Sequence, residues 1–213
     1  MGARRWFLTI AGCATLAGCG ASAGEGAARA PVVFADNCGP CHGPNGQGNP
    51  SIGAPAIAGL PVWYVQAQLT KFRDGIRGAH PDDAEGLRMR PMARTLEARD
   101  VEAVAAFVAT LPPDAPDHTL TGGSADAGKA AFGTCSACHG PEGKGTEALG
   151  APPIAQMDDW YLARQIGKFK AGIRGTNPRD TTGATMRPMA QTLKDEQAVL
   201  DVIAHIGTLH GGN

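Results

Sequence analysis

Apolar positions along the chain recur at helical rather than strand spacing. Between Trp63 and Arg73, the residues Val65, Leu69 and Phe72 fall on one face of a helix that Gly75 would end. Between Asp100 and Leu111, a second stripe comprises Val101, Val104, Ala105 and Val108, with Pro112 as the stop. Asp126 to Thr134, and Arg29 to Asn37 as its counterpart, read as short helices leading into Cys135 and Cys38. Strand-like alternation is absent, and Gly and Pro punctuate the stretches between. The pattern predicts an all-α chain with long loops.

The pattern also repeats. A shift of 97 residues carries Cys38, Cys41 and His42 onto Cys135, Cys138 and His139. It carries Trp63-Tyr64 onto Trp160-Tyr161, Gly75-Ile76-Arg77-Gly78 onto Gly172-Ile173-Arg174-Gly175, and Met89-Arg90-Pro91-Met92-Ala93 onto Met186-Arg187-Pro188-Met189-Ala190. No gap is needed from Cys38 to Leu96, and about half of those positions are identical, so the halves arose by duplication. Pro112-Pro113-Asp114-Ala115-Pro116 followed by Thr121-Gly122-Gly123-Ser124 is a linker, stiff at first and loose after. The expected organisation is one domain over 29–111, a linker over 112–125 and a second domain over 126–213.

The first residues have the character of an export signal. Arg4 and Arg5 precede a short apolar run from Trp6 to Leu16, too short for a good membrane span. Leu16-Ala17-Gly18-Cys19 resembles a bacterial lipobox, which would make 1–18 a lipoprotein signal peptide, Cys19 the lipidated residue and 19–28 a flexible tether. The other reading is ordinary cleavage further on, after Ala23 or Ala30. Either way the chain is expected in the periplasm, and its contact with a membrane would be by lipid anchor only.

Composition sharpens this. Two small domains with 5% aromatic residues and 30 glycines have modest cores, so packing needs a supplement. A formal charge of −1 gives no global attraction to nucleic acid, which is not expected as a partner.

Four of the six cysteines supply the supplement. Cys38, Cys41, Cys135 and Cys138 form two C-x-x-C pairs, each followed by histidine, the attachment signature of c-type haem. Two thiols in one turn add across the two vinyl groups on one porphyrin edge, and the adjacent His42 or His139 reaches the iron. Zinc would want four nearby thiolate or imidazole ligands, and a thioredoxin-like dithiol would want a βαβ setting; neither is offered. Two covalent haem c groups, each with its iron, are the expected cofactors. Each half also has two methionines three apart, Met89/Met92 and Met186/Met189, although methionine is otherwise nearly absent. One of each pair suits the sixth iron position and the other core packing. Pro91 and Pro188 dispose the residues before them to extended backbone, suited to a loop crossing the haem face.

These residues resemble the class I cytochromes c, and specifically the two-domain cytochrome c-4 type, over nearly all of the mature chain. The resemblance implies a tandem repeat of two small class I domains, each wrapped around a covalent haem. It implies Met89 and Met186 as iron ligands, because each lies seven residues before the leucine, Leu96 or Leu193, that leads into the last helix; Met92 and Met189 are the alternatives. It also implies that Pro55 and Pro152 present carbonyls to the axial histidines. Tyr64, Tyr161, Arg77 and Arg174 stand at matching places and suit the haem propionates; surface exposure for the arginines and core packing for the tyrosines suit them equally. One departure is His205 where the first half has Phe107, read as a partly exposed helix residue rather than a third ligand. His80, His118 and His210 read as solvated.

The function implied is outer-sphere electron transfer, from a quinol-oxidising cytochrome bc complex to a terminal oxidase. The rivals are the cytochrome subunit of a periplasmic dehydrogenase and, with less support, a two-haem enzyme, which would need an open or unusual ligand set.

Overall fold

The computed structural model describes residues 23–210; the signal, Cys13 and Cys19 lie outside them. The N-terminal half comprises α1 (Ala23–Val33), α2 (Gly39–His42), α3 (Val62–Arg73), α4 (Ala84–Arg94) and α5 (Ala98–Thr110). The C-terminal half comprises α6 (Ala125–His139), α7 (Asp159–Lys170), α8 (Thr181–Gln191) and α9 (Glu196–Gly207). Among the described residues the only strand-type pairings are the isolated bridges Asn49–Ala54 and Thr146–Ala151, so the chain is all-α with long loops, as its pattern predicts.

In each half the first helix packs on the last, α1 on α5 and α6 on α9. An aromatic contact ties each crossing. Phe34 and Phe107 have ring centroids 5.3 Å apart, and Phe132 and His205 5.1 Å. His205 is therefore a half-buried packing residue that takes the place of the phenylalanine. Val104 and Val108 in α5, with Val202 and Ile206 in α9, close the two cores.

The segment leading into the first C-x-x-C-H differs from its counterpart. Residues Phe34–Cys38 form a π-helical turn, in which the Gly39 amide reaches the Phe34 carbonyl, before α2 begins. Pro40 explains it: with no N–H it cannot bond the carbonyl of residue 36, and its ring crowds that carbonyl. Ala137 stands at the matching place in the second half, and α6 runs unbroken to His139. Residues 23–28, expected to be tether, instead form the first turns of α1.

A second correction concerns the methionines. Both pairs lie on helices, α4 and α8, not on extended loops. Pro91 and Pro188 sit on exposed faces. Each therefore costs one ladder bond, to the carbonyl of exposed Leu87 or Ala184, which water can satisfy. The helices persist because each begins on a firm cap. Asp83 accepts from the Gly86 amide and Asp180 from the Gly183 amide, both at 3.1 Å. A Cβ on either glycine would lie 2.1 Å from the capping carboxylate, so the cap requires glycine there.

The same two aspartates join the halves. Lys71 Nζ of α3 donates to Asp180 Oδ1 at 2.6 Å and to Thr182, while Lys168 Nζ of α7 donates to Asp83 Oδ1 at 2.5 Å and to Glu85 at 2.6 Å. Asp83 and Asp180 are each 2% exposed. Around them Arg179 bonds the Asp74 carbonyl and Asn177 the Gly75 carbonyl. The linker is strapped to the second half: Asp159 takes bonds from Thr119 and the Leu120 amide, and Asp201 from the Ser124 amide.

Lys71→Met or Lys168→Met leaves a buried carboxylate without its cation. Each is expected to destabilise the protein by about 3–5 kcal/mol, read as a lowered urea midpoint for the holoprotein. A change under about 0.5 kcal/mol would show that the pairs are solvated.

Candidate haem sites

Each half builds a cradle from the same parts. His42 and His139 are buried at the C-terminal ends of α2 and α6. Each ring places Nδ1 2.8 Å from a proline carbonyl, Pro55 for His42 and Pro152 for His139. That bond fixes the tautomer: Nδ1–H donates and Nε2 keeps its lone pair for a metal. Burial also lowers both histidine pKa values, against the carbonyl bond, favouring the neutral ring that ligation needs. No disulfide joins the four cysteines Cys38, Cys41, Cys135 and Cys138. Burial, and then the neighbouring Cys41, push Cys38 up to about 11.

In the N-terminal half a cleft of about 210 Å³, open to solvent, is lined by Cys38, Cys41, His42, Pro55, Met89 and Met92. Tyr161, Gln165 and Lys168 of the other half also line it. Met89 and Met186 are half-buried against the core, whereas Met92 and Met189 are each 36% exposed. Among the described residues no three or more His, Cys, Asp or Glu side chains are gathered closely enough to hold a metal ion by themselves.

Arg77 and Arg174 are buried, so surface exposure is not their role. They meet where the halves meet. Arg77 donates to Gln68 at 2.8 Å and, across the interface, to the Tyr161 hydroxyl and Gln165, both at 3.1 Å. Arg174 donates to Gln165 at 2.7 Å. Their guanidinium carbons lie 4.5 and 4.4 Å over the rings of Phe72 and Phe169. Tyr64 is buried and packs in the core, while Tyr161 is half-buried. Burial, followed by the charge of Arg77, lowers Arg174 to about 10.

Two cations buried this close together call for anions. The Nε atoms of Arg77, Arg90, Arg174 and Arg187 are all buried with no hydrogen-bond partner. An unmet buried donor costs about 1–3 kcal/mol. Four such donors, two from each half, fit the four propionates of two haems. The thiol pairs, the histidines with free Nε2 and the apolar cleft fit the rest of the group. Arg90 and Arg187 escaped the sequence reading as site residues; their place inside the repeated Met-Arg-Pro-Met run was the available signal. His80, His118 and His210 lie outside this constellation. His80 sits in a loop beside Asp82, and the other two are exposed.

The family model described as cytochrome c matches residues 27–112 and again 125–210. The thiosulfate dehydrogenase electron acceptor of Stutzerimonas stutzeri (strain A1501) is 33% identical over 191 residues, covering 82% of this chain and 81% of that protein. Cytochrome c4 of Pseudomonas aeruginosa is 30% identical over 190 residues, covering 86% and 89%. The crystal structure of reduced recombinant cytochrome c4 from Pseudomonas stutzeri superposes with a TM-score of 0.67 at 26% identity, covering 86% of this chain and 98% of that one.

Proposed function

This chain belongs to the cytochrome c family as a di-haem electron carrier of the cytochrome c4 type, and from that premise we propose that it moves single electrons between membrane-bound and periplasmic partners through both halves. The observation that carries the reading is the cluster of Arg77, Arg174, Tyr161 and Gln165 at the interface, whose buried cations would suit the carboxylate groups of haems held in the two halves. Haem supplies reversible one-electron redox chemistry. The chain's own residues bind, orient and dry it. His42 and His139 supply Nε2, with Nδ1 held by Pro55 and Pro152. Met89 and Met186 supply thioethers from the inward sides of α4 and α8. Buried arginines neutralise the carboxylates. With a histidine and a methionine as its ligands, each iron would have no open position, which favours a carrier over an enzyme.

The donor has two readings. Transfer from a quinol-oxidising cytochrome bc complex to a terminal oxidase follows from the c4 likeness. Transfer from a periplasmic dehydrogenase is favoured by the relative named as the electron acceptor of thiosulfate dehydrogenase. Anaerobic stopped-flow mixing of the oxidised holoprotein with each donor separates them. Reduction faster by the bc complex supports the first reading, faster by thiosulfate with its dehydrogenase supports the second, and reduction by neither overturns both donor readings.

Met89→Ala and Met186→Ala should each abolish the sulfur-to-iron charge-transfer band of one haem. Met92→Ala and Met189→Ala should keep both bands at a stability cost of about 1 kcal/mol, since these side chains are only partly exposed. The opposite pattern would move the ligand by three residues. Among the described residues no helix is long and apolar enough to cross a membrane. If Cys19 carries a lipid, Cys19→Ala shifts the protein from the membrane fraction to the soluble periplasm; a wild type already soluble refutes the anchor.

A further inference from the structure

The two cradles match down to the 2.8 Å histidine-to-carbonyl distance, yet one charge behind them does not. Asp158 stands at the N-cap of α7, where an aspartate ordinarily accepts from its own helix's first amides. It makes no such bond. Its carboxylate, 5% exposed, instead reaches the other half: Oδ2 accepts from the Ala56 amide at 3.2 Å, while Oδ1 accepts from the Asp117 amide of the linker at 3.0 Å.

Ala56 N–H belongs to the same peptide group as the Pro55 carbonyl, and that carbonyl accepts Nδ1–H of His42. The peptide is a resonant unit. A carboxylate on its N–H draws electron density toward its oxygen and strengthens the bond that oxygen accepts, since hydrogen bonds in series polarise one another. The imidazole thereby gains imidazolate character, and a more basic ligand favours ferric over ferrous iron. Burial lifts the pKa of Asp158, while its two N–H donors act the other way.

The second half cannot make this chain. The matching peptide joins Pro152 to Pro153, whose nitrogen carries no hydrogen, and the residue matching Asp158 in the first half is Pro61. We propose that Asp158 is a positioning residue of the C-terminal half that lowers the reduction potential of the N-terminal haem through the Pro55–Ala56 peptide, and so sets apart two otherwise matching haems. The proposal rests on His42 being the axial ligand of that haem.

The test is a spectroelectrochemical titration of the holoprotein, with haem-methyl NMR resonances reporting each haem separately. Asp158→Asn removes the charge but keeps an acceptor. Ala56→Pro removes the N–H but keeps the charge, and proline already occupies the matching place in the second half. Both variants should raise the potential of the N-terminal haem and leave the other in place. The oxidised-to-reduced ratio of that haem at fixed poise should fall several-fold, at about 59 mV per tenfold change. No shift at the N-terminal haem in Asp158→Asn, or an equal shift at both, overturns the proposal. A shift in Asp158→Asn with none in Ala56→Pro also overturns it, because the charge would then act through space. Axial-imidazole ring-proton resonances for both haems in each variant check His42 ligation separately; their absence from the N-terminal haem of the wild type overturns that premise instead.

Discussion

The architecture depends on a buried aspartate that serves two masters. Asp83 and Asp180 each start the methionine-bearing helix of their own half and each receive a lysine from the opposite half. A carboxylate this deeply buried is costly unless its oxygens are satisfied. Here the helix amide and the ammonium meet that need together, so neither the helix start nor the interface is complete alone. The position of α4 relative to the N-terminal cleft is therefore fixed from the C-terminal half, by Lys168, and α8 is fixed from the N-terminal half, by Lys71. Glu85 adds to one side: its bond to Lys168 holds its carboxyl below the usual range.

Where the lysines find carboxylates, the arginines find only neutral partners and aromatic faces. Arg77 and Arg174 bond amides and a phenol, and stack over Phe72 and Phe169. A cluster that holds buried cations without bonded carboxylates is stabilised by whatever brings anions to it, in proportion to how much better the folded chain binds them. Haem propionates would be such anions, and attachment through Cys38, Cys41, Cys135 and Cys138 would keep them at the site. The scarcity of aromatic residues in the cores is offset in the same way, by a large flat group against Val104, Val108 and their counterparts.

Much of this was legible in the sequence because the informative residues are local. The C-x-x-C-H runs announce their cofactor, the 97-residue shift announces two domains, and the stripes of α3 and α5 announce their helices within one or two residues. What escaped depends on contacts distant in the chain or on competition between local rules. Pro91 argued for extended backbone, and the cap at Asp83 outweighed it. Arg77 could be read as surface or site because its burial comes from residues about 90 positions away, in the other half. Arg90 looked like one more charge in a repeated motif until its Nε proved to be buried without a partner. Nothing in the order of residues tells that Asp158 abandons its own helix for Ala56.

The lysine–aspartate exchange has a further consequence. Lys71 meets Asp180 and Lys168 meets Asp83, the pattern of an isologous contact in which each surface is its own complement. Such a contact needs no connecting peptide to be specific. The linker adds proximity, turning an encounter between two molecules into a step within one, at millimolar effective concentration for a short tether. It also restrains drift after duplication. A change at Lys71, Arg77 or Asp83 is felt by the opposite half, and each of these residues is identical to its partner 97 positions on. Asymmetry between the halves has accumulated around this set instead, with Thr182 standing where the first half has Glu85 and Pro61 where the second has Asp158.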